Sequence, residues 1–172
     1  MKKLAIAAGI AIAAVALNAG AQQKPNPMDV VPDKMPNDIP YGAPVSLDRA
    51  QAAINAMVAE SKKRGWKLNM AVVDWSGNLV AFARMDDAQI GSIAIAEHKA
   101  RAAAKFRRET KAFEAGIQGG NTYLLTLDDV IGSRGGIPII DAGKFAGAVG
   151  CSGGTGSQDE VICRAGVDAI KR

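Results

Sequence analysis

His98 is the one imidazole that this chain can bring to acid–base or metal chemistry. Its neighbours Glu97, Lys99 and Arg101 are all charged. Helical spacing places positions 94, 98, 101 and 105 on one face, so His98, Arg101 and Lys105 line up. Such a row can form a pocket wall in which His98 binds iron. Glu97 also stands four residues before Arg101, the spacing of an ordinary surface ion pair, so the same row reads equally as a solvated helix face. Lys99, Arg101, Lys105, Arg107, Arg108 and Lys111 make a basic stretch whose charge suits a carboxylate-bearing ligand. Arg134 precedes Gly135-Gly136 near an expected strand end, where a rigid scaffold often carries binding residues. Glu97, His98, Lys99, Arg101 and Arg134 are thus the candidate catalytic groups.

Several chemistries are absent from the pattern. One histidine cannot build a multi-histidine metal site. The run Ser152-Gly153-Gly154-Thr155-Gly156-Ser157 lacks the Gly-Lys-Ser/Thr ending of a phosphate loop. It does precede a helix start, which offers free N–H groups to an anion. Asp159 and Glu160 already bring negative charge there, which favours a plain turn and cap.

The elements that must position these groups follow from periodicity. Ser46 can cap a helix whose buried face is Leu47, Ala50, Ile54, Met57, Val58 and Ser61, with Gly65 at its end. Residues 68–74 and 79–85 read as a hairpin across Trp75-Ser76-Gly77-Asn78. Ser92 starts a second helix to about Phe106, with six alanines suited to close packing on a sheet. Residues 113–121 read as a short helix and loop, and 123–130 as a strand or extended segment. Residues 137–140 and 145–151 form a second hairpin, and Pro138 puts its strand at an edge or a strand start. Ser157 with Glu160 has the form of a capping box opening a last helix. Short connections make the pairing antiparallel, so the fold class is α/β in the α+β sense, one antiparallel sheet with helices on its faces.

The 172 residues suit one domain. Residues 1–21 have the three parts of a secretory signal peptide: Lys2-Lys3, a 14-residue apolar run from Leu4 to Leu17, and Ala19-Gly20-Ala21. The run is short of the roughly 20 residues of a membrane span, so no stable insertion is expected after cleavage. The mature chain would start at Gln22 in the periplasm or outside the cell. Without Lys2 and Lys3 the balance is 19 basic against 17 acidic residues, too even to indicate a nucleic-acid partner. Residues 22–45 hold six of the seven prolines and read as a poorly ordered linker, or as an arm over a partner subunit. Cys151 ends a strand and Cys163 lies in the following helix; they are either a disulfide or two small buried side chains.

An ordered set of segments resembles the GlcG/HbpS-like haem-binding family, also found fused to some corrinoid adenosyltransferases. The segments run from Ala71-Val72-Val73-Asp74 and Gly77-Asn78 through Arg84-Met85-Asp86, Gly91-Ser92-Ile93-Ala94 and Lys99-Ala100-Arg101-Ala102. They continue with Phe106-Arg107-Arg108 and Thr110, Gly135-Gly136-Ile137-Pro138, Gly150-Cys151-Ser152-Gly153 and Gln158-Asp159-Glu160. The resemblance covers residues 46–172 and implies a profilin-like sandwich with an antiparallel sheet of about five strands. It also implies homo-oligomers and a haem or iron ligand, in some members with haem degradation. His98, Arg101, Lys105 and Thr110 are the cofactor-binding candidates, and His98 is the metal candidate. The alternatives are an enzyme acting on a small carboxylated metabolite and a non-catalytic sensor or partner module.

Overall fold

A computed structural model describes residues 30–171 of the chain. Two compact units divide at Met35/Pro36. In the first, the described residues 30–35 carry no helix or strand. The signal peptide expected over residues 1–21 lies outside the described residues.

In the second unit, helix α1 (Leu47–Arg64) starts where Ser46 Oγ accepts from the Arg49 N–H at 3.4 Å, and stops at Gly65, whose φ of 69° ends the helical path. Its buried face is Ala50, Ala53, Ile54, Met57 and Ser61; Leu47, in the first turn, stays exposed. Strands β1 (Asn69–Asp74) and β2 (Leu79–Arg84) form the expected hairpin. The Asp74 carboxylate closes its turn by accepting from the N–H groups of Ser76 at 2.8 Å and Asn78 at 2.9 Å. Helices α2 (Ser92–Phe106) and α3 (Lys111–Gln118) follow. Strands β3 (Gly136–Asp141) and β4 (Lys144–Ser152) make the second hairpin, and α4 (Gly156–Ala169) ends the fold. The cap of α4 is Thr155 with Gln158, two residues before the expected Ser157–Glu160 box.

The sheet is antiparallel, in the order β2-β1-β4-β3. It has four strands where about five were expected. The segment that could have been another strand, residues 123–130, instead begins as a 3₁₀ turn, Thr122–Thr126. Pro138 sits on edge strand β3, where its missing donor interrupts no ladder. On one face, Ala71, Val73, Phe145 and Ala148 pack against Ala100, Ala103 and Ala104 of α2. On the other, Met70, Val72 and Val149 pack with Met57 of α1 and Ile162 of α4. The strands β1 and β4 are therefore covered on both faces and read as apolar runs.

Two glycines set the height of α2 above the sheet. A Cβ on Gly150 would lie 2.1 Å from the Ala96 carbonyl oxygen, and one on Gly136 would lie 2.3 Å from that of Lys99. The helix backbone thus rests directly on β4 and β3, which brings Lys99 against the sheet. Cys151 at the end of β4 is joined to Cys163 in α4 by a disulfide with a Cα–Cα distance of 5.7 Å, which decides between the two alternatives.

The expected linker is not loose throughout. Residues 36–45 are pinned to the start of β4: the Phe145 N–H donates to Pro40 O at 2.8 Å, and the N–H groups of Gly42 and Val45 donate to Phe145 O and Ala146 O. Tyr41 packs edge-on against Phe145 and Trp75. β4 outruns β1 at this end, and its free backbone groups are satisfied by this strap. Among the described residues no helix is long and apolar enough to cross a membrane.

Candidate functional site

The structure separates the candidate residues into three places. Glu97, His98, Arg101 and Lys105 keep to the outer face of α2, as their spacing requires. Three of the four are already paired: Arg101 lies 3.8 Å from Glu97 and 4.0 Å from Asp129, and Lys105 donates to Asp129. The Asp129 carboxyl is held below its ordinary range, first by the Lys105 hydrogen bond and further by the charges of Lys105, Arg101 and His98. Lys105 also lines an open cleft of about 580 Å³ with Tyr41, Gly42, Trp75 and Ser76.

Lys99, one residue from His98, turns the opposite way. It is 1% exposed, and its Nζ donates to Asp159 Oδ2 at 2.7 Å, with Asp159 3% exposed. Asp159 Oδ1 accepts from the Gly154 N–H at 3.0 Å. Burial pushes the Asp159 carboxyl up, while Lys99 and the Gly153 and Gly154 N–H groups pull against it. The glycine-rich run therefore spends its backbone donors on Asp159 and on the Thr155 cap. Thr110 is fully buried as well: its Oγ1 accepts from the Gly136 N–H at 2.9 Å, and its own N–H donates to Gly136 O. It ties α3 to β3 and has no exposed surface for a ligand.

Arg134 is held in a third place by Glu114. Its Nη2 lies 2.6 Å and its Nε 2.8 Å from Glu114 Oε1, and its backbone N–H donates to Oε2 at 2.8 Å. The Arg134 hydrogen bond is the main cause that holds the Glu114 carboxyl below the ordinary 4.5. A lowered carboxyl binds fewer protons when folded, so its stabilisation is present above the ordinary value and is lost as pH falls through the folded one. Urea midpoints at about pH 6 and about pH 3 should therefore fall further in the wild type than in Arg134→Gln. An equal fall in both proteins would contradict this role of the pair.

A second cleft, of about 560 Å³, was not legible in the sequence. It follows the free edge of β3. Ile39, Ala112, Ile137, Pro138, Ile140 and Val167 supply its apolar lining, and Arg107, Arg108, Arg164 and Lys171 supply its cations. Asn37, Glu109 and Asp168 complete it. Arg164 is committed to Glu109 at 2.8 Å. No ion pair among the described residues involves Arg107, Arg108 or Lys171. Arg107 closes α2 with a φ of 49°; its guanidinium donates to Ile39 O and lies 4.8 Å above the Tyr41 ring, so it stands between the two clefts. Arg108 lies over the Phe113 ring at 5.7 Å. The arrangement can take a flat apolar body with carboxylates at its rim. The nearest sequence signals were the Phe106-Arg107-Arg108 segment and the edge position of Pro138.

Residues 45–168 match the family model described as haem degrading protein HbpS-like. Over 108 residues, 63% of this chain and 81% of the relative, the chain is 39% identical to protein GlcG of Escherichia coli K12. A solved double mutant of HbpS from Streptomyces reticuli is similar at a TM-score of 0.71 and 25% identity, covering 83% of this chain and 98% of that one. A PduOC:haem complex shares the fold at a TM-score of 0.68 and 24% identity, covering 74% and 95%.

Proposed function

The chain belongs to the HbpS-like family of haem degrading proteins, and from that premise we propose that it is an exported haem-binding protein whose ligand lies in the cleft along β3. Haem binding is supported at the level of the family. The observation that carries the location is the combination of an apolar lining with three cations, Arg107, Arg108 and Lys171, that make no ion pair with a described carboxylate. A haem has the matching parts, an apolar macrocycle and two propionates. The outer face of α2 is less suited, because Arg101 and Lys105 are already held by Glu97 and Asp129.

The residues present fit the macrocycle and the propionates. They do not fit the iron: the cleft lining contains no imidazole, thiolate, thioether or phenol, the usual axial ligands. Export rests on the three-part leader, and the homo-oligomer on the family resemblance.

The test is a haem titration of residues 22–172, followed by absorbance. Arg108→Ala and Lys171→Ala should each weaken binding by about tenfold, the loss of one charge-assisted contact. His98→Ala and Lys105→Ala should stay within about twofold. Full affinity in both cleft variants, with a loss in His98→Ala, would return the site to α2. Saturation by a small aromatic carboxylate in place of haem would favour the alternative of an enzyme on a carboxylated metabolite.

A further inference from the structure

We infer that the cleft along β3 recognises the tetrapyrrole and its carboxylates and leaves the metal without a side-chain ligand, so that its ligand class is porphyrin dicarboxylates with or without iron. This rests on the porphyrin reading above and adds which part of the molecule is read.

Among the described residues, no imidazole, thiolate, thioether or phenol lines the cleft. His98, the chain's sole imidazole, lines neither cleft and lies near Asp129 on the outer face of α2. Both cysteines are consumed by their disulfide. Met57 and Met70 are fully buried in the core. Tyr41 lines the other cleft, across Arg107. The Thr110 hydroxyl, two residues past Arg108, is enclosed and already accepts from the Gly136 N–H. What the cleft does offer is apolar area and three cations outside any ion pair among the described residues. Both act on the periphery of a porphyrin, and neither distinguishes an iron centre from an empty one.

The experiment uses residues 22–172 and four probes: haem, zinc protoporphyrin, iron-free protoporphyrin IX and its dimethyl ester. Binding is read by quenching of the intrinsic tryptophan fluorescence. The three dicarboxylates should bind within about threefold of one another, and the dimethyl ester at least about tenfold more weakly. Ferric haem on the protein should give a high-spin electron paramagnetic resonance spectrum that His98→Ala does not alter. Iron-free porphyrin binding more than about tenfold weaker than haem would overturn the inference while leaving the haem reading intact. So would a low-spin ferric spectrum, including one that appears at one haem per two chains with the ligand coming from a second copy. Failure of all three dicarboxylates to saturate would overturn the porphyrin reading itself, and this inference with it.

Discussion

Asp159→Asn is expected to lower folding stability by about 3–5 kcal/mol, the range for breaking a buried ion pair by removing one partner. Lys99 and Asp159 are 1% and 3% exposed and meet at 2.7 Å. Asparagine keeps the size of the side chain and removes the charge, so the Lys99 ammonium is left without its counter-charge in the core. The measurement is the urea midpoint at constant slope. The double variant Lys99→Met/Asp159→Leu should recover most of the loss, because two apolar side chains need no solvation. The reverse single variant, Lys99→Met, should behave differently with pH. The Asp159 carboxyl is pushed up by burial, and without Lys99 that push is less opposed. A raised carboxyl binds more protons folded than unfolded, so stability falls as pH rises from the ordinary 3.8 through the raised value. Lys99→Met should therefore be most stable in acid. A loss below about 1 kcal/mol for Asp159→Asn would show that the core admits water to Lys99.

The second large effect belongs to the disulfide. Cys151→Ala/Cys163→Ala should cost about 2–4 kcal/mol, chiefly by freeing the unfolded chain. The bridge spans 12 residues of sequence and ties the end of β4 to the interior of α4. Alanine at both positions avoids leaving a polar group in the core, since both cysteines are fully buried. A reductant should lower the wild-type midpoint by a similar amount and leave the double variant unchanged. Equal sensitivity of both proteins would show that the bridge is not the source. Burial also predicts the order of events: with Cys151 Sγ enclosed 3.4 Å from Met57 Sδ, reductant reaches the bond after the chain opens.

These two effects show where reading the sequence stops. Lys99 and Arg101 both belong to the basic stretch, and charge counting treats them alike. On α2 they diverge, because two helical positions are about 200° apart, and the position of Lys99 is the one that faces the sheet. The fate of Lys99 then depends on Asp159, which is 60 residues away and is carried to it by the β3–β4 hairpin. Thr110 is similar: the segment containing it was recognisable, yet its burial against Gly136 follows from how closely α2 and α3 approach β3.

The sequence by itself determined the elements: the Ser46 cap, the two hairpins, the alanine face of α2, the edge placement of Pro138 and the family. Each of these is set by residues a few positions apart, through periodicity, capping and turn chemistry, or by an ordered run of short segments. The tertiary structure decided which cysteine alternative holds, which cations make ion pairs, and which apolar and charged side chains meet in one cleft. The cleft joins residues 37–39, 107–112, 137–140 and 164–171. Those segments meet because the strand order places β3 at the edge, with the strap on one side and α4 on the other. Charge pairing and apolar exposure are properties of such meetings, and spacing along the chain does not encode them.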